Sequence, residues 1–217
     1  DLVDSALVFS GVPEASLSSY RRRLLDVVAG FQSTAAGISD PGLLASRALE
    51  YLHAGTLRRY DFRQARIDTL LDDGTYNCVS SAVLYLVLAR SVGLGVGGVR
   101  TTDHAFCTVQ VGTKTIDVET TNPYGYDPGS RKEFTDSFGK VTGFAYVPPT
   151  SYRDRTPIGE RGLLALILHD RVSFAIERGD HGAALEPAVT GWTLAGDGLA
   201  HDALVTTVSN NAVLLGQ

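Results

Sequence analysis

The stretch GTYNCVSSAVLYLVLARSVGL, residues Gly74–Leu94, places one of the two cysteines of the chain between a turn-prone segment and a long apolar run. Gly74 and Asn77 favour a turn, and the apolar residues after Cys78 are distributed nearly all round a helix, which is typical of a buried helix. A glycine directly after Val92 is expected to end it. We therefore predict a buried central helix from about Cys78 to Val92, with the thiol at its start.

A cysteine at the start of a helix has two interpretations. Cysteine is among the most often buried residue types, so Cys78 could simply fill space in the core. The unpaired N–H groups and the positive dipole end of a helix N-terminus, however, stabilise a thiolate, which is the nucleophilic form of the side chain. This second interpretation requires a histidine that manages the thiol proton and a third polar group that orients the histidine.

Candidates for both partners lie on two strands that come after the central helix. The segments HAFCTVQV (residues 104–111) and TIDVETT (residues 115–121) flank a short turn sequence and together predict a β-hairpin. His104 begins the first strand. The second strand carries Asp117 and Glu119 on one face, because strand side chains alternate.

The register of this hairpin decides which acid lies nearer to His104. If Gly112 and Thr113 form a two-residue turn, Glu119 is the nearer diagonal neighbour of His104, and Asp117 lies one step further along. A longer turn would shift every pair. The shorter turn favours Glu119 and leaves Asp117 as the alternative.

The second cysteine is expected to be a core residue. Cys107 lies three residues after His104 on the same strand, so its side chain faces the opposite side of the sheet. A zinc site made of Cys78, Cys107 and His104 would lack a fourth ligand and the close cysteine pair typical of such sites. We therefore expect no metal and no other cofactor at these residues.

The composition argues against two classes of protein. The formal charge of −5 and the pI near 5.5 argue against a nucleic-acid binder, which normally presents a basic face. No apolar stretch reaches the roughly 20 residues that a membrane-spanning helix needs, so no transmembrane segment is predicted. A chain of 217 residues with 44% hydrophobic residues is long enough for one sizeable core, or for one domain with a smaller appendage.

The chain contains no methionine, including at position 1. We therefore expect it to start downstream of a removed or truncated segment, which leans the expectation towards an exported, periplasmic protein and leaves the compartment open. No signal peptide is visible in the sequence. Two cysteines also do not make a disulfide framework.

Helical spacing predicts three helices before the central one, over residues 13–31, 39–57 and 63–74. In the second of these, Asp40 is a candidate N-cap and Pro41 suits the first turn. The central helix and the hairpin are thus expected to be preceded by an N-terminal helical region.

The sequence after the hairpin predicts one more strand, a linker and a return to helices. The strand is TGFAYVPP (residues 142–149), and the segment rich in Arg, Asp and Pro at 150–161 has the composition of a linker. We predict a division into residues 1–155, with the N-terminal helices and the site, and residues 156–217, a C-terminal helical appendage. Within it, AIERGDHGAALEPAVTGW (residues 175–192) resembles a tetratricopeptide-type helix pair.

Every candidate site residue lies before residue 120, so the appendage is not expected to help assemble the site. Its first helix contains a dense apolar cluster that should pack on the rest of the protein, on the side away from the cleft. His169, His181 and His201 are expected at the surface or as helix caps.

The order and spacing of the motifs resemble a known family. YNCVSSAVLYLVLARSVGL, with DHAFCTVQV and IDVETTNPYG after it, is similar to the transglutaminase-like branch of the papain-like cysteine enzymes over residues 70–122. The resemblance implies an α+β fold with a papain-like core, in which a central helix packs against an antiparallel sheet. In that family a cysteine begins the helix, a histidine begins one strand, and an aspartate on the adjacent strand completes the triad.

Carried over to this chain, the resemblance implies that Cys78 is the nucleophile and His104 the general base. The third member is Glu119 if the Asp-x-Thr pattern of the family aligns with Glu119-Thr120-Thr121. It is Asp117 if the identity of the acid is kept instead. A glutamate at this place departs from the commonest family pattern.

A second departure concerns the oxyanion donor. Asp72 lies at the distance upstream where papain-type enzymes carry an amide donor, and an ionised aspartate cannot donate. The backbone N–H of Cys78 is one remaining candidate, with Tyr76 or Asn77 as the source of a second donor.

Two functions from different classes are compatible with these features. The first is a cysteine hydrolase or acyl transferase that acts on an amide bond through a Cys-His-acid triad and a thioester. A peptide, an isopeptide or a cell-wall cross-link would be its substrate. The alternative is a non-catalytic peptide-binding or protein-binding module that retains the fold and docks a protein partner on the C-terminal helices. The intact Cys78 and His104 weigh against the alternative.

Overall fold

The computed structural model describes residues 1–129, 132–143, 154–195 and 198–215, which form a mixed α+β structure. Helices surround a small antiparallel sheet. The helices are α1 (Leu2–Phe9), α2 (Glu14–Ala35), α3 (Pro41–Gly55), α4 (Ile67–Asp73), α5 (Cys78–Ser91), α6 (Lys132–Thr142), α7 (Gly159–Glu177), α8 (His181–Ala195) and α9 (Gly198–Leu215). The strands are β1 (Arg59–Tyr60), β2 (Thr75–Tyr76), β3 (Val96–Arg100), β4 (Ala105–Val111), β5 (Lys114–Val118) and β6 (Thr156–Pro157).

The predicted central helix is α5, and it is confirmed almost to the residue. Every residue from Val79 to Ala89 is buried, as its apolar sequence predicts. Asn77 caps the helix by accepting the N–H groups of Val79 and Ser80, while the Ser80 hydroxyl accepts the N–H of Asn77. This reciprocal capping box fixes the start of the helix at Cys78.

The predicted hairpin is also present, as β4 and β5. Val111 pairs with Lys114, so Gly112 and Thr113 form the two-residue turn on which the register argument depends. The sheet has the order β5-β4-β3-β6, with each neighbouring pair antiparallel, while β1 and β2 form a separate parallel pair.

Two of the N-terminal helices match their sequence signals closely. Helix α3 begins at Pro41, and the Asp40 carboxylate accepts the N–H of Leu43 at 2.6 Å. Helix α4 ends at Asp73, and Gly74 after it adopts the left-handed conformation with φ of 77°. Glycine suits this position because it has no Cβ to strain there.

The remaining N-terminal prediction placed the end of its helix too early. Helix α2 continues to Ala35, past the expected end near residue 31. Gly30 lies inside the helix, where a Cβ would come 2.3 Å from the hydroxyl oxygen of Tyr51. This glycine therefore allows close packing against α3 rather than ending α2, and Phe31 and Ala35 beyond it are buried.

The linker predicted at residues 150–161 is partly wrong. Thr156 pairs with Arg100 at the edge of the sheet, and the N–H of Ile158 donates to the Gly98 carbonyl at 2.9 Å. Helix α7 begins directly afterwards. These backbone hydrogen bonds give the segment a regular structure that its polar composition does not predict. Residues 144–149 of the predicted strand lie outside the described residues, and Thr142 before them belongs to α6.

Helix α7 shares the main hydrophobic core. Leu163, Leu164, Leu166 and Ile167 belong to the same buried cluster as the N-terminal helices and α5. A second, smaller cluster joins α7 to α8 and contains Val172, Ala175, Ala184 and Ala188. The division at residues 155 and 156 stays a prediction, but α7 packs against elements on both sides of it in the chain.

None of the described helices is both long enough and apolar enough to cross a membrane.

The shared core predicts that α7 matters for global stability. Leu163 has no exposed surface, so Leu163→Ala should lower the free energy of unfolding by about 2–5 kcal/mol. Leu185 on α8 is 41% exposed, and Leu185→Ala should change it by no more than about 0.5 kcal/mol. Urea unfolding of both variants measures the difference. Equal, small effects would show that α7 is not part of the main core.

Candidate active site

The predicted nucleophile and base meet at the N-terminus of α5. Cys78 is the first residue of this helix and is half-buried, and His104 lies one residue before β4. Cys78 and His104 line the same cavity, and an interaction with the Cys78 side chain raises the pKa of His104. His104, at the start of the hairpin, thus lies near the positive end of the central helix.

The predicted acid Glu119 hydrogen-bonds the His104 imidazole. Its Oε2 lies 2.6 Å from Nε2 of His104. The other ring nitrogen, Nδ1, is therefore not used by Glu119 and can interact with the thiol. Oε1 of Glu119 accepts the backbone N–H of Thr121 at 3.1 Å and the Thr121 hydroxyl at 2.7 Å. Glu119 is only 5% exposed, so its carboxylate is held by these donors rather than by water.

The charge of Glu119 governs the protonation of His104. Burial lowers the pKa of His104, because it disfavours the charged ring. The negative charge of Glu119 and the hydrogen bonds to Cys78 and Glu119 outweigh this effect and raise the pKa well above its ordinary value. The charge of Glu119 therefore favours the protonated form of His104.

The alternative acid, Asp117, is engaged elsewhere. Its carboxylate forms a two-point ion pair with the Arg155 guanidinium, with 2.9 Å between Nη1 and Oδ2. Arg155 also stacks over the ring of Phe106, with its Cζ 5.0 Å from the centroid. Asp117 therefore ties β5 to the segment before β6, and of the two acids it is Glu119 that contacts His104.

A tight turn after β5 fixes the backbone of Glu119. The Glu119 N–H donates to the Gly125 carbonyl at 2.8 Å, and the Gly125 N–H donates to the Asn122 carbonyl at 3.0 Å. A Cβ on Gly125 would lie 1.9 Å from the carbonyl oxygen of Glu119, so only glycine fits here. The turn-rich sequence NPYGYDPG (residues 122–129) thus holds the backbone of Glu119 in place.

Two further side chains hold Thr120, the neighbour of Glu119. Nε2 of His53 on α3 lies 3.0 Å from the Thr120 carbonyl oxygen, and Ser81 Oγ on α5 lies 2.9 Å from the Thr120 hydroxyl. Burial lowers the pKa of His53 to about 4, so this ring is neutral and donates to the carbonyl. Sequence analysis missed His53, because a lone histidine on a helix carries no motif.

Aromatic rings cover the other side of His104. The Phe106 ring stacks at 6.3 Å between centroids, and Phe138 of α6 meets the imidazole edge-on at 6.1 Å. These rings keep water away from the His104–Glu119 pair and so strengthen their interaction.

The oxyanion donors expected from the sequence are only partly free. The side-chain amide of Asn77 donates to the Phe62 carbonyl at 3.1 Å and to Asp170 at 2.9 Å. The Tyr76 hydroxyl donates to the Thr121 carbonyl at 3.1 Å, so both side chains are already engaged. Asp72 lies at the surface, paired with Arg23.

The backbone N–H of Cys78 is the donor that remains. The first four N–H groups of a helix lack intrahelical partners. In α5 those of Val79 and Ser80 are bonded to the Asn77 side chain, and that of Asn77 to the Ser80 hydroxyl. The cap therefore leaves the N–H of Cys78 available beside the thiol.

Tyr60 on β1 lies close to the start of α5, and sequence analysis did not single it out. Its pairing with Tyr76 of β2 brings it to the start of α5, and the two rings meet edge-on at 5.8 Å. Burial raises the pKa of Tyr60, and the negative charges of Cys78 and Glu119 raise it further. Its hydroxyl therefore stays protonated and able to donate.

A cavity of about 210 Å³ opens beside Cys78 and His104. The segment from Arg100 to Ala105 forms one wall, and Leu166, His169 and Asp170 of α7 form the opposite one. The expectation that α7 packs away from the cleft is therefore wrong. His169, expected at the surface or as a helix cap, is partly exposed and lines this cavity. Helix α7 is joined to the cleft by a hydrogen bond. The Asp170 carboxylate accepts it from the side-chain amide of Asn77, the residue that caps α5.

Cys107 is a core residue, as predicted. It is fully buried, and its thiol donates to the Ala82 carbonyl at 3.4 Å. Burial raises the pKa of Cys107 far above its ordinary value, because it disfavours the thiolate. Within the described ranges, no group of three or more His, Cys, Asp or Glu side chains is arranged to hold a metal ion.

Comparisons with protein-family models, curated protein sequences and solved structures find no match to this chain.

His53 predicts a specific pH dependence of stability. Its pKa of about 4 in the folded protein lies below the ordinary value of 6.5, so the unfolded chain binds its proton more readily. Its contribution is fully present above pH 6.5 and is lost as the pH falls towards 4, by up to about 3 kcal/mol. The raised pKa of His104 has the opposite effect on stability. Its contribution is fully present below pH 6.5 and is lost as the pH rises above that value.

Urea unfolding of the wild type and of His53→Gln at pH 7 and pH 4.5 measures this effect. Glutamine can also donate to the Thr120 carbonyl but does not titrate. The loss of stability between the two pH values should therefore be smaller in the variant. An equal loss in both proteins would rule out His53 as its source.

Proposed function

We propose that this protein is a cysteine hydrolase or acyl transferase that acts on an amide bond, with a papain-like core of the transglutaminase-like type. The observation that carries the proposal is the buried His104–Glu119 hydrogen bond, which lies beside Cys78 at a helix N-terminus and at an open cavity. Nucleophile, base and orienting acid are the three parts that nucleophilic catalysis by a thiol requires.

In the first half of the reaction, the thiolate of Cys78 attacks the substrate carbonyl carbon and forms an S–C bond. The imidazolium of His104 then gives its proton to the leaving nitrogen as the C–N bond breaks. The products of this half-reaction are a free amine and a thioester on Cys78.

In the second half, water or an amine attacks the thioester carbonyl and His104 accepts its proton. The S–C bond breaks, and a carboxylic acid or a new amide is released. Glu119 holds the imidazole in place and stabilises its charged form throughout. It plays this orienting role without taking up the proton itself.

The carbonyl oxygen becomes negative in the tetrahedral intermediate and needs donors. The backbone N–H of Cys78 points from the positive end of α5 and supplies the first. We assign the second to the Tyr60 hydroxyl, because Tyr60 pairs with Tyr76 shortly before α5 and its raised pKa keeps the hydroxyl protonated. This pair replaces the amide donor that papain-type enzymes carry at the position where this chain has Asp72.

Acylation by an activated ester tests the proposal without knowledge of the natural substrate. Mixing with p-nitrophenyl acetate should release a rapid burst of about one p-nitrophenolate per chain, because Cys78 forms a stable acetyl thioester. Cys107→Ser should keep the burst and Cys78→Ser should lose it. Mass spectrometry of the quenched protein locates the acetyl group. A binding module that retains only the fold would give no burst in any of the three proteins.

The acid is tested by a matched pair of neutral substitutions. Glu119→Gln should slow the burst by about 10- to 100-fold at pH 7, because loss of the charge lowers the pKa of His104 and weakens the thiolate–imidazolium pair. Asp117→Asn removes a charge two residues away that pairs with Arg155, and it should change the rate less than threefold. Burst rates from pH 5 to 9 measure both. The reverse ranking would transfer the orienting role to Asp117.

A further inference from the structure

A second cavity adjoins the catalytic cleft and lies among the C-terminal helices. Its walls come from α7, α8 and α9, and it shares four lining residues with the cleft beside Cys78: Arg100, Leu166, His169 and Leu199. A substrate held at the thiol therefore has this cavity as its immediate neighbour.

The lining of the second cavity is mainly apolar. Its interior is formed by aliphatic and small side chains, among them Ile158, Ala165, Val172 and Ala188. Charge and polarity are confined to Arg100 and His169, which it shares with the cleft. A group that fits this lining is apolar on the inside and carries a hydrogen-bond acceptor at the mouth.

The size of the cavity limits what can enter it. Its volume is about 30 Å³, and roughly 10–15 Å³ on this measure holds one water molecule. The space therefore suits a branched aliphatic group of a few carbon atoms rather than an aromatic ring. Gly191 and Ala188 are two of its lining residues and contribute little side-chain volume.

We propose that this cavity is a specificity subsite that binds a short aliphatic side chain of the substrate, on the residue next to the reacting carbonyl. The Arg100 guanidinium at the mouth donates to a carbonyl oxygen of the same residue. The substrate class is then a peptide-like amide with a leucine-sized or valine-sized side chain beside the bond that reacts. This inference rests on the proposed function of Cys78 and His104.

Three iodoacetyl amino-acid N-methylamides, with glycine, leucine or phenylalanine, test the subsite. Each alkylates a thiolate by forming an S–CH₂ bond with loss of iodide, so the side chain alone differs. The leucine probe should label Cys78 about tenfold faster than the glycine probe, in line with the selectivity of apolar pockets for a few carbon atoms. The phenylalanine probe should gain much less.

Filling the cavity should abolish this preference. Ala188→Leu should bring the leucine-to-glycine rate ratio close to one, whereas Ala183→Leu, on the exposed side of the same helix, should leave it at about ten. Gly191→Ala is the second filling variant. Its new Cβ would lie 3.7 Å from Leu168 Cβ, an ordinary contact that the fold accommodates, and it should also lower the ratio.

Plain iodoacetamide separates the two proposals. If it does not label Cys78 ahead of Cys107, the proposed function fails whatever the side-chain preference. If it labels Cys78 selectively but the glycine and leucine probes react at equal rates, the subsite is overturned and the proposed function stands. A preference that survives Ala188→Leu and Gly191→Ala would likewise overturn the subsite.

Discussion

The burial of α5 on every side is the constraint on which the rest of the structure depends. A helix without a polar face is stable only when other elements cover it, and here the N-terminal helices, the sheet and α7 all do so. Its N-terminus is where the covering opens into a cleft. The same packing that buries the helix therefore leaves its N-terminus, with the N–H of Cys78, open to the cleft. The positive dipole end at this place stabilises a thiolate.

The second constraint is the buried charge of Glu119. A carboxylate removed from water costs several kcal/mol unless its oxygens are fully hydrogen-bonded and an opposite charge is close. The two donors of Thr121 and the His104 ring meet this requirement. The neighbouring groups stay neutral, since burial holds His53 unprotonated and raises the pKa of Tyr76 to about 12. Glu119 is thus held in place by its hydrogen bonds, and the neighbouring His53 and Tyr76 side chains add no further charge beside it.

Sequence reasoning could reach the central helix and the grouping of Cys78, His104 and Glu119 because their signals are local. The capping residue Asn77, the apolar run and the two-residue turn each act over a few residues, and the turn sets which acid faces His104. Tyr60, His53 and His169 could not be found in this way. They reach the site through strand pairing and helix packing between distant segments, which leave no fixed spacing in the chain.

The position of α7 beside the cleft could not be predicted for the same physical reason. All three residues of the proposed triad precede residue 120, but a cleft needs further lining, and here part of it comes from the C-terminal third of the chain. The bond from Asn77 to Asp170 couples the cap of α5 to α7, so the helix that completes the main core also borders the thiol. In the proposed enzyme, the chemistry and the choice of substrate are therefore carried by separate parts of the sequence. The motif around Cys78 fixes the reaction, whereas the apolar faces of the C-terminal helices select the group beside it.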